Sequence, residues 1–322
     1  MADIGRRDRR TDAQMFITLA ICTLNRAESL RRTLDSLAAM RVREDLDWEI
    51  VVVNNNCTDH TDEVIKSFAD RLPIRRELEP QRGLSHARNR AVEAANGDYI
   101  VWTDDDVVVD PGWLAAYAEA FRRWPEAAVF GGPIIPIYAA PVPKWVSENE
   151  RFLGDSCFAR RDFGDEPLPL SLPDWREPSG ANFALRGVEQ RAYRYDPELG
   201  VGPVRRRLGE ELDVIRRILR SGGTGYWVPP ARVEHCIGHD RQTTKYIARY
   251  FAGLGETRAM LEGHREAPLL FGAPRWLWRQ CAEQWLSYRI HRLISPAPVW
   301  LRHLQAYALT WGAISYGRSQ RG

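Results

Sequence analysis

Three consecutive aspartates, Asp104-Asp105-Asp106, stand directly after the apolar run Tyr99 to Thr103. Carboxylates so crowded need a countercharge. A hard divalent cation such as magnesium or manganese prefers carboxylate oxygen and keeps positions open for diphosphate oxygens, neutralising charge on a departing phosphate. An acidic turn capping the next helix would need no third aspartate, because Asp110-Pro111 already supplies that cap. Two further polar clusters follow apolar runs. Thr23, Asn25 and Arg26 suit ribose and phosphate, and Asn54-Asn55-Asn56 offers donor and acceptor groups to the edge of a base, although asparagine is also an ordinary turn residue.

The elements that must position these residues alternate. Phe16 to Cys22 is apolar and β-branched, and Leu30, Leu34 and Leu37 then recur at helical spacing. Trp48 to Val53 predicts a second strand and Thr61 to Ala69 a second helix. Ile74 to Leu78 predicts a third strand, followed by a helix from Leu84 to Asn96 stopped by Asn96-Gly97, and Tyr99 to Thr103 predicts a fourth strand. Such alternation predicts parallel βαβ units, whose ligands sit beyond the carboxyl ends of the strands. All three polar clusters then face one cleft. A helix from Pro111 to Trp124 and a strand from Ala127 to Gly131 continue the sheet. Periodicity fades through the proline-rich stretch from Pro133 to Pro178, which reads as an irregular excursion. Regular structure returns at Ser179 to Arg186, with a helix from Glu210 to Ser221 and a strand-like Tyr226 to Val233.

The 322 residues are 44% hydrophobic with a net charge of +2, which excludes a disordered polyelectrolyte and argues against general nucleic-acid binding. Five cysteines without a close Cys-x-x-Cys pair indicate neither a disulfide framework nor a zinc knuckle, and a reducing cytoplasm is expected. Residues 1–14 read as a charged, flexible segment rather than a signal peptide, and no stretch reaches the roughly 18 apolar residues of a spanning helix. From Arg241 onward the chain reads as helical and aromatic. Trp276, Trp278, Trp285, Trp300 and Trp311 interleave there with arginines, a composition that fits either a membrane-surface element or a helical cap on the preceding domain.

Taken in order, Ile21 to Arg26, Val51 to Asp59, Arg82 to Asn89 and Asp98 to Asp106 resemble the motifs of family-2 glycosyltransferases. Ser179-Gly180-Ala181-Asn182 and Gly209-Glu210-Glu211-Leu212-Asp213 extend the resemblance over about residues 16 to 240. It implies an α/β fold of the GT-A type, a Rossmann-like mixed sheet flanked by helices over 15–240, with a helical aromatic extension over 241–322. It further implies transfer, with inversion, from a nucleotide diphosphate sugar to a hydroxyl acceptor. If the aromatic tail is a membrane-surface element, that acceptor is expected to be a lipid-linked saccharide or polysaccharide precursor at the cytoplasmic face of the membrane. By the resemblance Asp106 and Asp104 would hold manganese or magnesium with help from His235, and Asp104 and Asp105 would border the nucleotide sugar. Asn55 would meet the base, Arg82 and Arg88 the phosphates, although Arg88 could equally pair with a nearby acid. Gly180, Ala181 and Asn182 would line the acceptor side. Glu211, or failing it Glu210, would be the base, where the family commonly has Glu-Asp. Two rivals are a nucleotidyltransferase, for which the glycine-rich, lysine-containing phosphate loop is missing near the first strand, and a non-catalytic, membrane-associated nucleotide-sugar-binding protein.

Overall fold

The structure, a computed structural model, describes residues 15–203, 206–263 and 268–320. The expected flexible segment 1–14 lies outside them. In chain order the elements are β1 (Phe16–Thr23), α1 (Ala27–Ala38), β2 (Asp47–Asn54), α2 (Thr61–Ser67), β3 (Ile74–Leu78), α3 (Leu84–Ala94) and β4 (Tyr99–Asp104). There follow β5 (Val107–Val109), α4 (Trp113–Arg123), β6 (Val129–Gly131), β7 (Ile134–Tyr138), α5 (Lys144–Ser147), α6 (Glu150–Cys157), β8 (Asn182–Arg186) and α7 (Gly187–Ala192). After the short pair β9 (Gly200–Val201) and β10 (Arg206–Arg207) come α8 (Glu210–Arg220), β11 (Gly225–Trp227), β12 (Val233–Ile237) and α9 (Thr244–Glu262). A hairpin of β13 (Leu269–Leu270) and β14 (Ala273–Pro274) leads into α10 (Arg275–Ile294) and α11 (Ala297–Ser319).

Seven strands form the central sheet in the order β11-β6-β8-β4-β1-β2-β3. β1 to β4 are mutually parallel where they pair, so Thr23, Asn54 and Asp104 leave the sheet at one edge. β8 runs antiparallel between β4 and β6, with Asn182 opposite Thr103, which brings the Ser179–Ala181 approach to that same edge. Alternate residues of each central strand feed two cores. Ile17, Leu19, Ile50, Val52 and Val101 pack against α1, α2 and α4. Ala20, Val51, Ile100 and Trp102 pack against α3 and α8.

Two expectations need correction. The stretch Pro133 to Pro178 is not wholly irregular, since it contains β7, α5 and α6. Pro133 just before β7 and Pro136 in its middle hid the strand. A mid-strand proline is tolerated because β7 is an edge strand, paired along one side with β12 and bridged on the other only at Ile134, to Arg161. The segment Tyr226 to Val233 is not one strand either. It splits into β11, in the main sheet, and β12, in a second sheet ordered β5-β12-β7. Pro229-Pro230 between them forces the change of sheet.

The C-terminal helices share a core with α5, α6 and the end of β12, in which Phe158, Ile237, Phe251, Trp300 and Leu304 are buried. α9 and α11 approach closely through glycine: a Cβ at Gly312 would lie 1.9 Å from the Ala252 carbonyl oxygen, and one at Gly255 2.1 Å from that of Leu309. The aromatic tail is thus in part a cap. Trp276, Trp285 and Trp311 nevertheless remain exposed.

Candidate active site

β4 delivers the three aspartates into different surroundings. Asp104 ends the strand with its side chain 39% exposed toward the cleft, 4.0 Å from Arg88. Asp105 turns inward, accepting from Thr23 Oγ1 at 2.7 Å and from Arg26 at 2.7 Å. Asp106 is buried and accepts at Oδ2 from both Arg26 and Arg241, at 2.7 and 2.6 Å.

The second sheet places His235 beside Asp106, because β12 pairs with β5 so that His235 lies opposite Val107. His235 Nδ1 is 2.9 Å from the Phe158 carbonyl, which can only accept, so the ring hydrogen sits on Nδ1 and Nε2 carries a lone pair. Nε2 accepts from Arg241 at 2.9 Å and faces Asp106 Oδ1 at 3.4 Å. That oxygen has no hydrogen-bond partner. Nε2 spends its one lone pair on Arg241, so Asp106 Oδ1 is the buried atom left unsatisfied, an arrangement that a nearby cation would relieve, with Nε2 free to join it once Arg241 turned away. Among the described residues no three His, Cys, Asp or Glu side chains cage a metal on their own. Two protein ligands, with the remaining positions left to diphosphate oxygens and water, is the pattern that suits magnesium or manganese.

The other expected ligands divide. Gly180 faces the site: a Cβ there would lie 3.0 Å from Arg88 Nη2 and 3.2 Å from Glu211 Oε1. Arg82 is exposed, with Nη2 3.4 Å from the Asn56 carbonyl. Several residues read as nucleotide contacts instead staple the loops together. Asn25 adopts φ 53° and accepts from Thr58 N at 2.7 Å, tying the β1 loop to the β2 loop. The Asn55 amide donates to the Glu79 and Gln81 carbonyls and accepts from Gly83 N, so its side chain is committed to the loop and Asn56 is the exposed member of the trio. Asn182 is wholly buried, bonded to Trp113, Tyr117, Pro133 and Ala231, and Ala181 uses its carbonyl on Thr103. Neither offers its side chain to an acceptor. Arg88 is buried too. Trp102, Phe183 and Tyr195 surround it at 5.4–5.5 Å and Glu210 lies 3.7 Å away, which makes it the central cation of the site's floor rather than an open phosphate clamp.

Arg241 was not legible as a site residue, since nothing in Asp240-Arg241-Gln242 predicts a bond to a carboxylate 135 positions earlier. It also lines, with Arg26, Arg32 and Tyr138, a cavity of about 610 Å³, a volume within the range of small-molecule sites. Arg26 and Arg241 join that cavity to the three aspartates, none of which lines it.

Glu210 and Glu211 open α8 at the same edge. Burial pushes the Glu210 carboxyl up to about 7, Glu211 beside it adds to the rise and Arg88 opposes it. Burial likewise raises Asp105 to about 7 against the pull of Arg26. A carboxyl whose folded pKa lies above its unfolded value favours the fold at low pH. That advantage fades as pH climbs from about 4.5 to about 7. In chelator, the stability of Glu210→Gln relative to wild type should therefore rise between pH 5 and 8, by on the order of 2 kcal/mol, with its relative Tm rising accordingly. A pH-independent difference in scanning calorimetry would mean that Glu210 does not titrate in that window.

Residues 18–173 match the family model described as glycosyl transferase family 2. The succinoglycan biosynthesis protein ExoM of Rhizobium meliloti is 27% identical over 256 residues, 77% of this chain and 75% of its own length. The glucosyl-dolichyl phosphate glucuronosyltransferase of Haloferax volcanii is 27% identical over 226 residues, 69% of each chain. In fold the chain is similar to the mannosyltransferase PcManGT of Pyrobaculum calidifontis, solved with GDP-Man and Mn2+, at a TM-score of 0.61 and 17% identity over 95% of this chain and 88% of that one. It is similar also to S. aureus TarS 1-349 in complex with UDP-GlcNAc, at a TM-score of 0.55 and 14% identity over 95% and 92%. With the sheet order, the aspartate-bearing edge and these matches together, the chain is a glycosyltransferase of the GT-A fold that carries the family-2 pattern in its first half.

Proposed function

We propose that this glycosyltransferase is divalent-cation-dependent and inverting, moving a sugar from a nucleotide diphosphate donor to a hydroxyl of a lipid-linked saccharide or polysaccharide precursor at the cytoplasmic face of the membrane. The observation that carries the reading is the unpartnered Asp106 Oδ1, buried 3.4 Å from His235 Nε2, on a carboxylate whose other oxygen is held by Arg26 and Arg241 at the wall of the neighbouring cavity. Asp106 and His235 would hold manganese or magnesium with Asp104 alongside. The ion's contribution would be to offset charge gathering on the leaving diphosphate.

The chain's own groups supply the rest. Arg26 and Arg241, which converge on Asp106, border the cavity and are suited to fork diphosphate oxygens. Arg82 and Asn56 lie on the base side of the cleft. Glu211 borders Gly180, at the mouth that an acceptor would enter. There its carboxylate takes the hydroxyl proton as the acceptor oxygen bonds to the anomeric carbon. The bond from that carbon to the diphosphate oxygen breaks on the opposite side, and its electron pair leaves with the nucleotide diphosphate. One base and one displacement give inversion. The names of the relatives support the donor and acceptor classes, since two of them carry GDP-Man or UDP-GlcNAc and one is named for a dolichyl phosphate substrate.

A thermal-shift screen against uridine, guanosine and thymidine diphosphate sugars, each with manganese, magnesium or chelator, tests the reading. Stabilisation by one nucleotide only with metal is expected, and NMR of the transferred product should show the anomeric configuration opposite to the donor's. Retained configuration would overturn the single-base displacement, and metal-independent binding would overturn the assignment of Asp106 and His235.

A further inference from the structure

Among the described residues, eleven of the eighteen exposed large apolar side chains lie between Leu269 and Trp311, so exposure is concentrated in this part of the chain. Along the outward face of α10, Leu286, Ile290, Leu293 and Ile294 are 53%, 46%, 86% and 73% exposed. Their spacing of four, three and one places them on a single helical stripe, opposite the buried Leu277 and Cys281. At the other end of α10, about 20 Å away at the helical rise, the β13–β14 hairpin lifts Leu270 and Phe271 into solvent.

That tip is built rather than loose. Trp278 Nε1 donates to the Leu270 carbonyl at 2.8 Å and stacks edge-on against Phe271. Phe271 itself is held at φ 49°, a left-handed conformation that a bulky residue adopts only when its surroundings impose it. Gly272, at φ 87°, lies against Gly317 of α11 so closely that a Cβ would be 2.4 Å from its carbonyl oxygen.

Charge selects the occupant. From Arg275 to Ser319 the sequence has six arginines and a single acid, Glu283. Glu283 is already bonded to Arg279 at 2.9 Å. Arg289 and Arg292 lie against the rings of Trp285 and Trp300 at the stripe's edge. A second copy docked face to face would press these arginines against their own counterparts with no acids to meet them. An anionic bilayer meets both needs, with acyl chains for the stripe and tip and headgroup phosphates for the arginines and tryptophans. No helix among the described residues is long and apolar enough to cross a membrane, so contact by these helices would be with the surface.

We propose that the outer face of α10 and the β13–β14 tip form the docking surface by which this protein lies on an anionic lipid bilayer. The inference rests on the lipid-borne acceptor only for its purpose, because docking is scored with neither donor nor acceptor present. Full-length protein is floated with phosphatidylcholine vesicles and with the same vesicles doped with phosphatidylglycerol, at low and raised salt. Binding to the anionic vesicles should exceed binding to neutral ones by about tenfold or more and weaken with salt. Leu286→Glu/Ile290→Glu/Leu293→Glu should lose it while keeping wild-type Tm and nucleotide response. Since all three side chains are solvent-exposed, Leu293→Glu alone serves as a milder second variant. Absence of flotation with anionic vesicles at low salt overturns the proposal. So does a lipid-free dimer in light scattering that the triple variant converts to monomer, because the face would then be a self-interface.

Discussion

Glu211→Gln is expected to slow glycosyl transfer by roughly 100- to 10,000-fold while leaving donor affinity unchanged, the range that general-base removal commands. The argument is positional. Of the two glutamates that open α8, Glu210 is 4% exposed and lies 3.7 Å from buried Arg88, so its carboxylate serves the floor of the site. Glu211 is only half-buried, and its Oε1 lies over Gly180, 3.2 Å from where a Cβ on that residue would stand. Gln keeps the size and loses only the ability to accept a full proton. Steady-state kinetics should therefore show the loss in kcat, with donor binding by calorimetry as in wild type. Glu210→Gln should lower transfer less, and through a different route, by relieving the tie on Arg88. If Glu210→Gln abolished transfer and Glu211→Gln did not, the roles of the two would be exchanged.

Much of the positioning was legible in sequence because parallel strands carry it locally. β1, β2 and β4 each announce themselves as apolar runs ending in polar residues, and parallel pairing then brings Thr23, Asn54 and Asp104 to one edge. What the pattern could not show is which polar side chains face the ligand and which face the protein. Thr23, Asn25 and Asn55 occupy the right loops, yet their side chains are bonded to Asp105, Thr58 and the Gly83 loop. A turn that holds a binding site needs such staples as much as ligands, and residue type does not separate the two. The contribution of the second sheet was hidden for another reason. His235 meets Asp106 only because β12 turns away from β11 at Pro229-Pro230 and pairs with β5, a long-range contact that no local periodicity encodes. Arg241 follows from the same crossover.

That crossover also decides the electrostatics of the aspartate cluster. Arg26 spans Asp105 and Asp106, and Arg241 completes the neutralisation of Asp106. Both guanidiniums share one oxygen of Asp106 and leave the other bare toward His235. The cluster can therefore exist in the absence of metal without three adjacent carboxylates repelling one another unopposed. It keeps one unsatisfied oxygen, to which the proposed cation would attach. If the donor diphosphate binds beside that cation as proposed, the two arginines would change partners rather than be recruited from solvent.

Asp106→Asn tests that economy and should have the largest effect of any single substitution in the site. Asparagine retains an oxygen for Arg26 and Arg241 but replaces the charge and, at the second position, turns the bare acceptor facing His235 into either a donor or a weaker ligand. Metal-dependent donor stabilisation should vanish, and transfer should fall by about 1,000-fold or more, corresponding to the several kcal/mol that charge stabilisation by a bound cation supplies. A structural explanation is separable. Losing half of a charged pair at a buried site costs on the order of 1–3 kcal/mol, which would appear as a lower Tm in chelator, whereas the loss of ligand response should persist at a temperature where the variant is fully folded. His235→Ala should weaken the manganese requirement in the same direction by a smaller factor, since Asp106 would remain as the charged ligand. If Asp106→Asn bound nucleotide with unchanged metal dependence, the cation would have to sit elsewhere along the cleft, with the exposed Asp104 as the remaining carboxylate able to hold it.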